Sequence, residues 1–535
     1  MRDSASPAPS AWSPLRQPLF RNLWIASVVS NIGTWMQSVG AAWLMTTLTS
    51  SSLLVALVQS ASSLPFFLLA LPSGAIADVV DRRRLLIVAQ SWMLGVAAVL
   101  AVLTLIGWMT PVVLLVLTFA LGLGGVLTAP AWQAITPEII SREELIPAIT
   151  LNAAGFNISR ALGPALAGLI IAAWGVGITF LLNAISFLGV LEVLRRWRRL
   201  PKEGVAPVER VEGAIRAGFR YVRHSPDLQH ILLRVAAFTI SGSALWALLP
   251  LVVKSILGHS AVGYGFFLGC LGAGAVIGAI LLPKIRQKLA KNHLLALGSL
   301  LFCLSTLVLL IFTQPVLIGV ALMVGGGAWI GFLSTMNATI QMLSPAWVRG
   351  RVLAHYLLSF QGSIALGSAL WGWVASHTSL HESLAISSGM LLLNAIVTFF
   401  TPMARVGNSD LNPSVHWPDQ PTFLEPTSER GPVLVTITYR VKPENASAFT
   451  EAMHAVSRVR RRDGAIRWGI FQNLSDPEEF TETFVIESWA EHMRQHERMT
   501  VSDRQLQEKA WLYHDGADRP RAKHLIYAEA NSEIA

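Results

Sequence analysis

Arg160 stands inside an apolar stretch of this chain, in the run Asn157-Ile158-Ser159-Arg160-Ala161-Leu162-Gly163-Pro164. An arginine at membrane depth costs at least about 2.5 to 3.5 kcal/mol on insertion scales, so it is expected to face a cavity or a partner rather than lipid. No Asp or Glu lies in the neighbouring apolar stretches to neutralise it permanently. Two readings stand: a cavity-facing cation that attracts an anionic solute or pairs transiently during a cycle, and a structural arginine bonded to carbonyls, to Asn157 or to Asp78. Asn31, Gln37, Asn337 and Gln361 also lie in apolar stretches and, with Asn157, are candidates for lining the same path. The alternative for each is an interhelical hydrogen bond worth about 0.6 kcal/mol. Trp35, Trp43, Trp246, Trp329, Trp371 and Trp373 suit stacking on a planar solute or a place in interfacial belts.

Near the C-terminus, Trp489, His492 and His496 are candidates for a second chemistry in a separate C-terminal domain. The two histidines are one helical turn apart, a spacing that equally fits one face of a surface helix. No metal-ligand spacing is completed nearby, so no metal and no cofactor is expected. A Walker-type Gly-Lys-Ser/Thr run is also missing, which argues against ATP hydrolysis by this chain.

The elements that must hold these residues are legible in composition. The 535 residues are 53% hydrophobic and 14% charged, with a mean hydropathy of +0.52, too apolar for a soluble protein of this size. Apolar stretches long enough to span about 30 Å of hydrocarbon fall near 22–44, 53–77, 85–106, 111–134, 148–172 and 176–194, then near 229–253, 263–283, 294–312, 315–340, 352–376 and 383–403. The even-numbered connections carry Arg82, Arg83, Arg84, Arg142, Arg195, Arg196, Arg198, Arg199, Lys284, Arg286, Lys288, Lys291, Arg349 and Arg351, and the odd-numbered ones only Lys254. This asymmetry predicts both termini in the cytoplasm and an even number of spans. The net charge of +9 is therefore mostly topology, with the basic residues in short loops beside spans rather than in a nucleic-acid face. Residues 1–20 are polar and lack a cleavable signal pattern, and Cys270 and Cys303 fall inside predicted spans as packing residues.

The chain repeats itself. Ala161-Leu162-Gly163-Pro164-Ala165-Leu166-Ala167-Gly168 returns as Ala365-Leu366-Gly367-Ser368-Ala369-Leu370-Trp371-Gly372, and the same offset of 204 residues carries Gly74-Ala75-Ile76-Ala77 onto Gly278-Ala279-Ile280-Leu281. The predicted fold is thus an α-helical membrane protein of about 12 transmembrane helices in two parallel six-helix repeats. Its expected parts are an N-terminal tail (1–20), a first half (21–194), a cytoplasmic amphipathic connector (195–228) and a second half (229–404). The connector's apolar side is expected to carry Val211, Ile215, Phe219 and Val222. A linker (405–431) leads to a C-terminal domain (432–535) that reads strand, helix, strand, strand, helix, strand, the α+β ferredoxin-like plan in a cytoplasmic position.

Three motifs carry resemblances. Gly74-Ala75-Ile76-Ala77-Asp78-Val79-Val80-Asp81-Arg82-Arg83-Arg84 resembles the loop signature of the major facilitator superfamily, which implies a gating latch using Gly74, Asp78, Asp81, Arg82 and Arg83. Val79 stands where that signature commonly has Arg, and Asp81 where it has a second Gly, so a weaker or differently paired latch is expected. At the matching second-half site Leu282 falls opposite Asp78 while Arg286 and Lys288 stay basic, which predicts asymmetric gating. The run Asn152 to Gly168 resembles the Gly-Pro signature of superfamily antiporters and exporters, with Gly155, Gly163, Pro164 and Gly168 as hinge or as close packing. The segment from Pro130 into Gly168 resembles the transmembrane secretion effector, enterobactin-exporter-like branch.

That branch implies a secondary active transporter, a proton-coupled exporter of a siderophore or drug-like molecule in the inner cell membrane. The implied partners are lipid bilayer and small solute, with no nucleic acid. Coupling through Asp78 and Arg160 and uncoupled facilitated export both stay open, since no mid-span Asp or Glu is present. Glu487-Ser488-Trp489-Ala490-Glu491-His492 and His496-Glu497-Arg498 resemble the dimeric α/β barrel proteins related to antibiotic-biosynthesis monooxygenases. This resemblance implies a homodimer through the C-terminal domain, or the alternative of a membrane-tethered monooxygenase-like or regulatory protein.

Overall fold

The computed structural model describes residues 10–197, 211–401, 403, 410–414, 430–516, 518–520 and 522–528. They separate into two compact units, one drawn from 1–206, 233–336 and 356–403, the other from 207–232, 337–355 and 404–535. The first unit opens with six long helices, α1 (Pro18–Leu48), α2 (Ser52–Val79), α3 (Arg82–Leu105), α4 (Pro111–Ile139), α5 (Leu145–Trp174) and α6 (Val176–Arg196). A short helix α7 (Val211–Arg223) precedes α8 (Pro226–Leu251), α9 (Ala261–Lys288), α10 (Lys291–Ile311), α11 (Pro315–Leu343), α12 (Arg349–His377) and α13 (Leu380–Phe400). Local chemistry sets many of the ends. Ser51, Asp81 and Thr110 each accept from a backbone N–H of the following turn, and Gly175 turns the chain from α5 into α6 at φ +84°, where L side chains rarely fit.

Ten helices are long and apolar enough to cross a membrane among the described residues. The sequence reading expects twelve, and the two that fall short on composition are α1 and α12. Both remain long, at 31 and 29 residues, and both spend polar side chains on neighbours. Gln37 of α1 is buried and accepts from Asn183 Nδ2 of α6, and Trp371 Nε1 of α12 donates to Ile240 O of α8 at 2.6 Å.

The repeated octapeptide makes the same kind of contact twice. In the first copy α5 lies against α9 so closely that a Cβ on Gly168 would stand 2.8 Å from Ala261 O, and one on Gly265 2.5 Å from Pro164 O. In the second copy α12 lies against α2, where a Cβ on Gly372 would stand 2.5 Å from Ala56 Cβ and 3.1 Å from Leu53 Cα. Each half thus presses its fifth helix on the second helix of the other. Trp43 stacks on Tyr264 with centroids 5.9 Å apart, and Lys254 Nζ donates to Thr46 O, so the two halves also meet where α1 turns into α2 and α8 into α9.

The second unit contains the C-terminal domain, β1 (Val433–Arg440), α14 (Ala446–Asp463), β2 (Arg467–Gln472), β3 (Glu479–Ile486), α15 (Trp489–Arg498), α16 (Val501–Trp511) and β4 (Ala522–Ile526). The strands form one antiparallel sheet in the order β2-β3-β1-β4. Val433, Val435, Ile437 and Tyr439 alternate inward to pack on Phe449, Met453 and Val456 of α14. Glu482 is fully buried in this core and accepts from Arg460 Nε at 3.1 Å, Tyr439 OH at 3.0 Å and Trp468 Nε1 at 2.9 Å. Removing one member of such a buried pair costs about 3–5 kcal/mol, because the other charge is stranded. The second helix of that strand-and-helix order is split at Met499-Thr500 into α15 and α16, where Thr500 and Asp503 form a capping box that starts α16.

Within the same unit α7 buries Ala217, Tyr221 and Val222 and leaves Phe219 exposed, so the apolar side expected from Val211, Ile215, Phe219 and Val222 is turned. Packing on protein is the reason: the Tyr221 ring meets Trp347 edge-on at 5.6 Å and lies under the Arg462 guanidinium at 5.1 Å.

Close backbone contact between α9 and α11 leaves no room for side chains at two glycines. A Cβ on Gly274 would stand 1.8 Å from Met323 O, and one on Gly326 1.9 Å from Leu271 O. Gly274→Val and Gly326→Val are each expected to abolish monodisperse protein on size exclusion in detergent. Gly95→Ala, where a Cβ meets nothing within 4 Å, is expected to leave the profile unchanged.

Candidate functional site

Arg160 is buried in the first unit, and its Nε has no hydrogen-bond partner among the described residues. Its guanidinium lies 6.0 Å from the Trp35 ring of α1 and 5.9 Å from the Trp246 ring of α8, at the outer range of cation–π attraction. Asn157 does not hold it, because Asn157 Nδ2 donates to Ala153 O within its own helix at 2.9 Å. Trp246 continues into an aromatic wall through Trp329 of α11 at 5.7 Å and from there to Phe360 of α12 at 6.3 Å. The site therefore combines one cation from the first half with indole and phenyl faces from both halves.

The glycines around Arg160 act by close approach. A Cβ on Gly163 would stand 2.5 Å from Trp35 Cβ, one on Gly155 2.7 Å from Val28 Cγ2, and one on Gly272 of α9 2.7 Å from Arg160 O. Pro164 contributes its carbonyl to the Gly265 contact. Among the other path candidates, Asn31 and Gln361 are half-buried, Gln37 is taken up by Asn183, and Asn337 accepts from Gln341 Nε2 one turn along at 2.6 Å.

The loop motif is a bracket inside the first half. Asp81 accepts from Arg84 N at 2.8 Å and starts α3, which gives a local reason for an acid where the superfamily signature has glycine. Arg82 Nη1 pairs with Glu138 Oε1 of α4 at 2.6 Å. Arg83 donates to Leu194 O at 2.8 Å and Arg195 O at 2.9 Å, satisfying carbonyls at the α6 C-terminus where a cation is favoured. Gly74 has open space around it, and the Asp78 side chain lies outside the described residues. In the second half Arg286, at the offset of Arg82, donates to Thr335 Oγ1 at 3.1 Å, since Met342 stands at the offset of Glu138.

Residues 9–532 match the family described as transmembrane secretion effector. This chain belongs to that family. The staphyloferrin A transporter of Staphylococcus aureus is 24% identical over 374 residues, covering 69% of this chain and 92% of that one. The enterobactin exporter EntS of Shigella boydii is 25% identical over 390 residues, covering 71% and 91%, and the multidrug efflux pump Tap of Mycolicibacterium fortuitum is 26% identical over 411 residues, covering 73% and 97%. Among solved structures, a variant of the nucleoside transporter NupG has a TM-score of 0.63 at 12% identity, covering 72% of this chain and all of that one. A bacterial homologue of the human lysosomal transporter Spinster, inward-facing and unoccupied, has a TM-score of 0.59 at 14% identity, covering 72% and 96%. This secretion effector family member is a multi-pass membrane transporter of the major facilitator type that acts on small molecules, not an enzyme.

The transporter's second unit gathers residues the sequence reading did not join. Arg220 of α7 pairs with Glu491 of α15 at 2.6 Å, and Arg498 grips the same carboxylate with two bonds at 2.6 and 3.2 Å while covering the Trp347 ring at 4.7 Å. Burial raises the Glu491 pKa, but Arg498 and Arg220 outweigh it and hold the carboxyl below its ordinary value. Trp489 and His492 are near neighbours at 5.3 Å, His496 is 4.5 Å from His492, and His524 of β4 joins them at 4.7 Å from His492. His492 is buried, and among the described residues neither ring nitrogen has a hydrogen-bond partner of ordinary geometry. Burial first, and then His496 and His524, push its pKa down to about 3, so the imidazole is neutral. His524 escaped the sequence reading because 28 residues and a helix separate it from His496.

Arg220→Ala and Glu491→Gln are each expected to raise hydrogen exchange across residues 211–223, with Arg504→Ala, an exposed pair with Glu508, as the neutral control. Because the folded pKa of Glu491 is lowered, its stabilisation is present above the ordinary carboxylate value of about 4.3 and lost as pH falls through the lower folded value. Protection of 211–223 is expected to fall in that acid range in wild type and to change little there in Glu491→Gln.

Proposed function

We propose that this transporter exports a small organic anion of siderophore or drug-like size by alternating access, with Arg160 as the solute-facing cation. The observation that carries this reading is a buried guanidinium with no counter-ion among the described residues, flanked by Trp35 and Trp246 from opposite halves. A cation desolvated among aromatic faces attracts an anionic, ring-bearing solute and costs least when one is bound. The relatives that carry staphyloferrin A, enterobactin or drugs in their names support solutes of that class.

In this reading α1 and α12 complete twelve spans in two parallel repeats, the chain lies in the inner membrane, and both termini face the cytoplasm. The basic even-numbered connections support that orientation. The proton gradient drives export, with Asp78 and Arg160 as the coupling groups. The C-terminal domain adopts the ferredoxin-like plan, supported by its strand order. Its outward sheet face aligns Leu434 with Val485 and Leu525, an apolar row suited to a second copy of the domain and hence to a homodimer. Through Glu491 and Arg498 the domain grips α7 and Trp347, which suits a regulatory role.

Cells expressing wild type at matched membrane levels are expected to accumulate several-fold less of an effluxed catecholate siderophore or dye than cells expressing Arg160→Ala, and a protonophore is expected to abolish the difference. Equal accumulation with wild type and Arg160→Ala would remove Arg160 from the solute path.

A further inference from the structure

In the C-terminal domain, His492 and His496 lie one turn apart on α15, and β4 brings His524 against them from the edge of the sheet. One ring nitrogen from each of the three lies within 4.8 Å of the others. His492 is 2% exposed, and both of its ring nitrogens lack hydrogen-bond partners of ordinary geometry, although Gln495 stands beside it. A buried polar group left this way is destabilising, and a bound ligand would satisfy it. Arg460, the cation whose field reaches His492, is already paired with Glu482.

We propose that His492, His496 and His524 bind one divalent late transition ion of the zinc, cobalt, nickel and copper class. Three neutral imidazoles with no thiolate or carboxylate suit these borderline ions, and exclude magnesium and calcium, which take oxygen ligands. Tetrahedral zinc with Zn–N bonds of about 2.0–2.1 Å needs donor nitrogens roughly 3.3 Å apart. His496 and His524 are half-buried at the rim of the domain, so turning their rings toward His492 supplies the contraction without moving the core. Three protein ligands leave a fourth position for water or another donor. Trp489, 5.3 Å from His492 and 6.0 Å from His524, closes one side with an apolar face. The ion would tie edge strand β4 to α15, the helix whose Glu491 holds Arg220 of α7.

The test uses the tag-free full chain in detergent, stripped with chelator and dialysed against zinc chloride, with bound metal measured by mass spectrometry. Wild type is expected to retain one equivalent of zinc per chain, to show the intense visible bands of a four- or five-coordinate site with cobalt, and to be unaffected by excess magnesium. His496→Ala and His524→Ala are each expected to weaken zinc binding by about 100-fold or more, since even outer-shell changes at metal sites cost 10–100-fold. His454→Ala, in the same domain but 5.5 Å from Trp468 rather than at this cluster, is expected to bind as wild type does. His524→Gln serves if His524→Ala does not elute as folded protein. The proposal is overturned if wild type retains no zinc, or if the His496 and His524 variants bind as tightly as wild type.

Discussion

Helices in a bilayer gain little from hiding apolar surface from one another, since lipid is equally apolar, so their association depends on how closely backbones approach. In this transporter that approach is made by glycine, and the two crossings of α5 on α9 and α12 on α2 set the frame for everything else. Gly272 admits the Arg160 carbonyl, Gly163 admits Trp35, and Gly168 meets Gly265. With those distances given, the Arg160 side chain is left between an indole from each half. A charge that would be expelled from lipid is thereby kept at the seam between the halves.

The two repeats share text and crossing geometry but not polar chemistry. Arg82 has an acid on α4, while its counterpart Arg286 donates to the Thr335 hydroxyl. The cation–carboxylate contact in the first half is the stronger kind of hydrogen bond. The bracket formed by Asp81, Arg82 and Arg83 joins α3, α4 and α6, so this half is secured at that end by more than packing.

In the second unit a single short helix serves several partners. Successive residues of α15 give Glu491 to Arg220 and Arg498, and His492 to the cluster with His496 and His524. A change at His492 is thus one residue from the carboxylate that holds α7. The buried Glu482 network beneath the sheet keeps this face in register by filling the core with groups that have one satisfied arrangement.

The sequence by itself determined the membrane class, the duplication, most helix positions and the order of strands and helices after residue 432. Those follow from local composition, periodicity and an internal repeat, which survive without knowledge of distant contacts. Arg160 was legible for the same reason, because a charge in apolar text is conspicuous wherever the helix packs. Tertiary structure alone decided that Gln37 belongs to Asn183, that Arg82 belongs to Glu138, that α7 turns Tyr221 rather than Phe219 inward, and that His524 joins His492 and His496. Each of these depends on residues far apart in the chain meeting across helix and strand surfaces, and neither helical periodicity nor composition carries the rotation and register that bring them together.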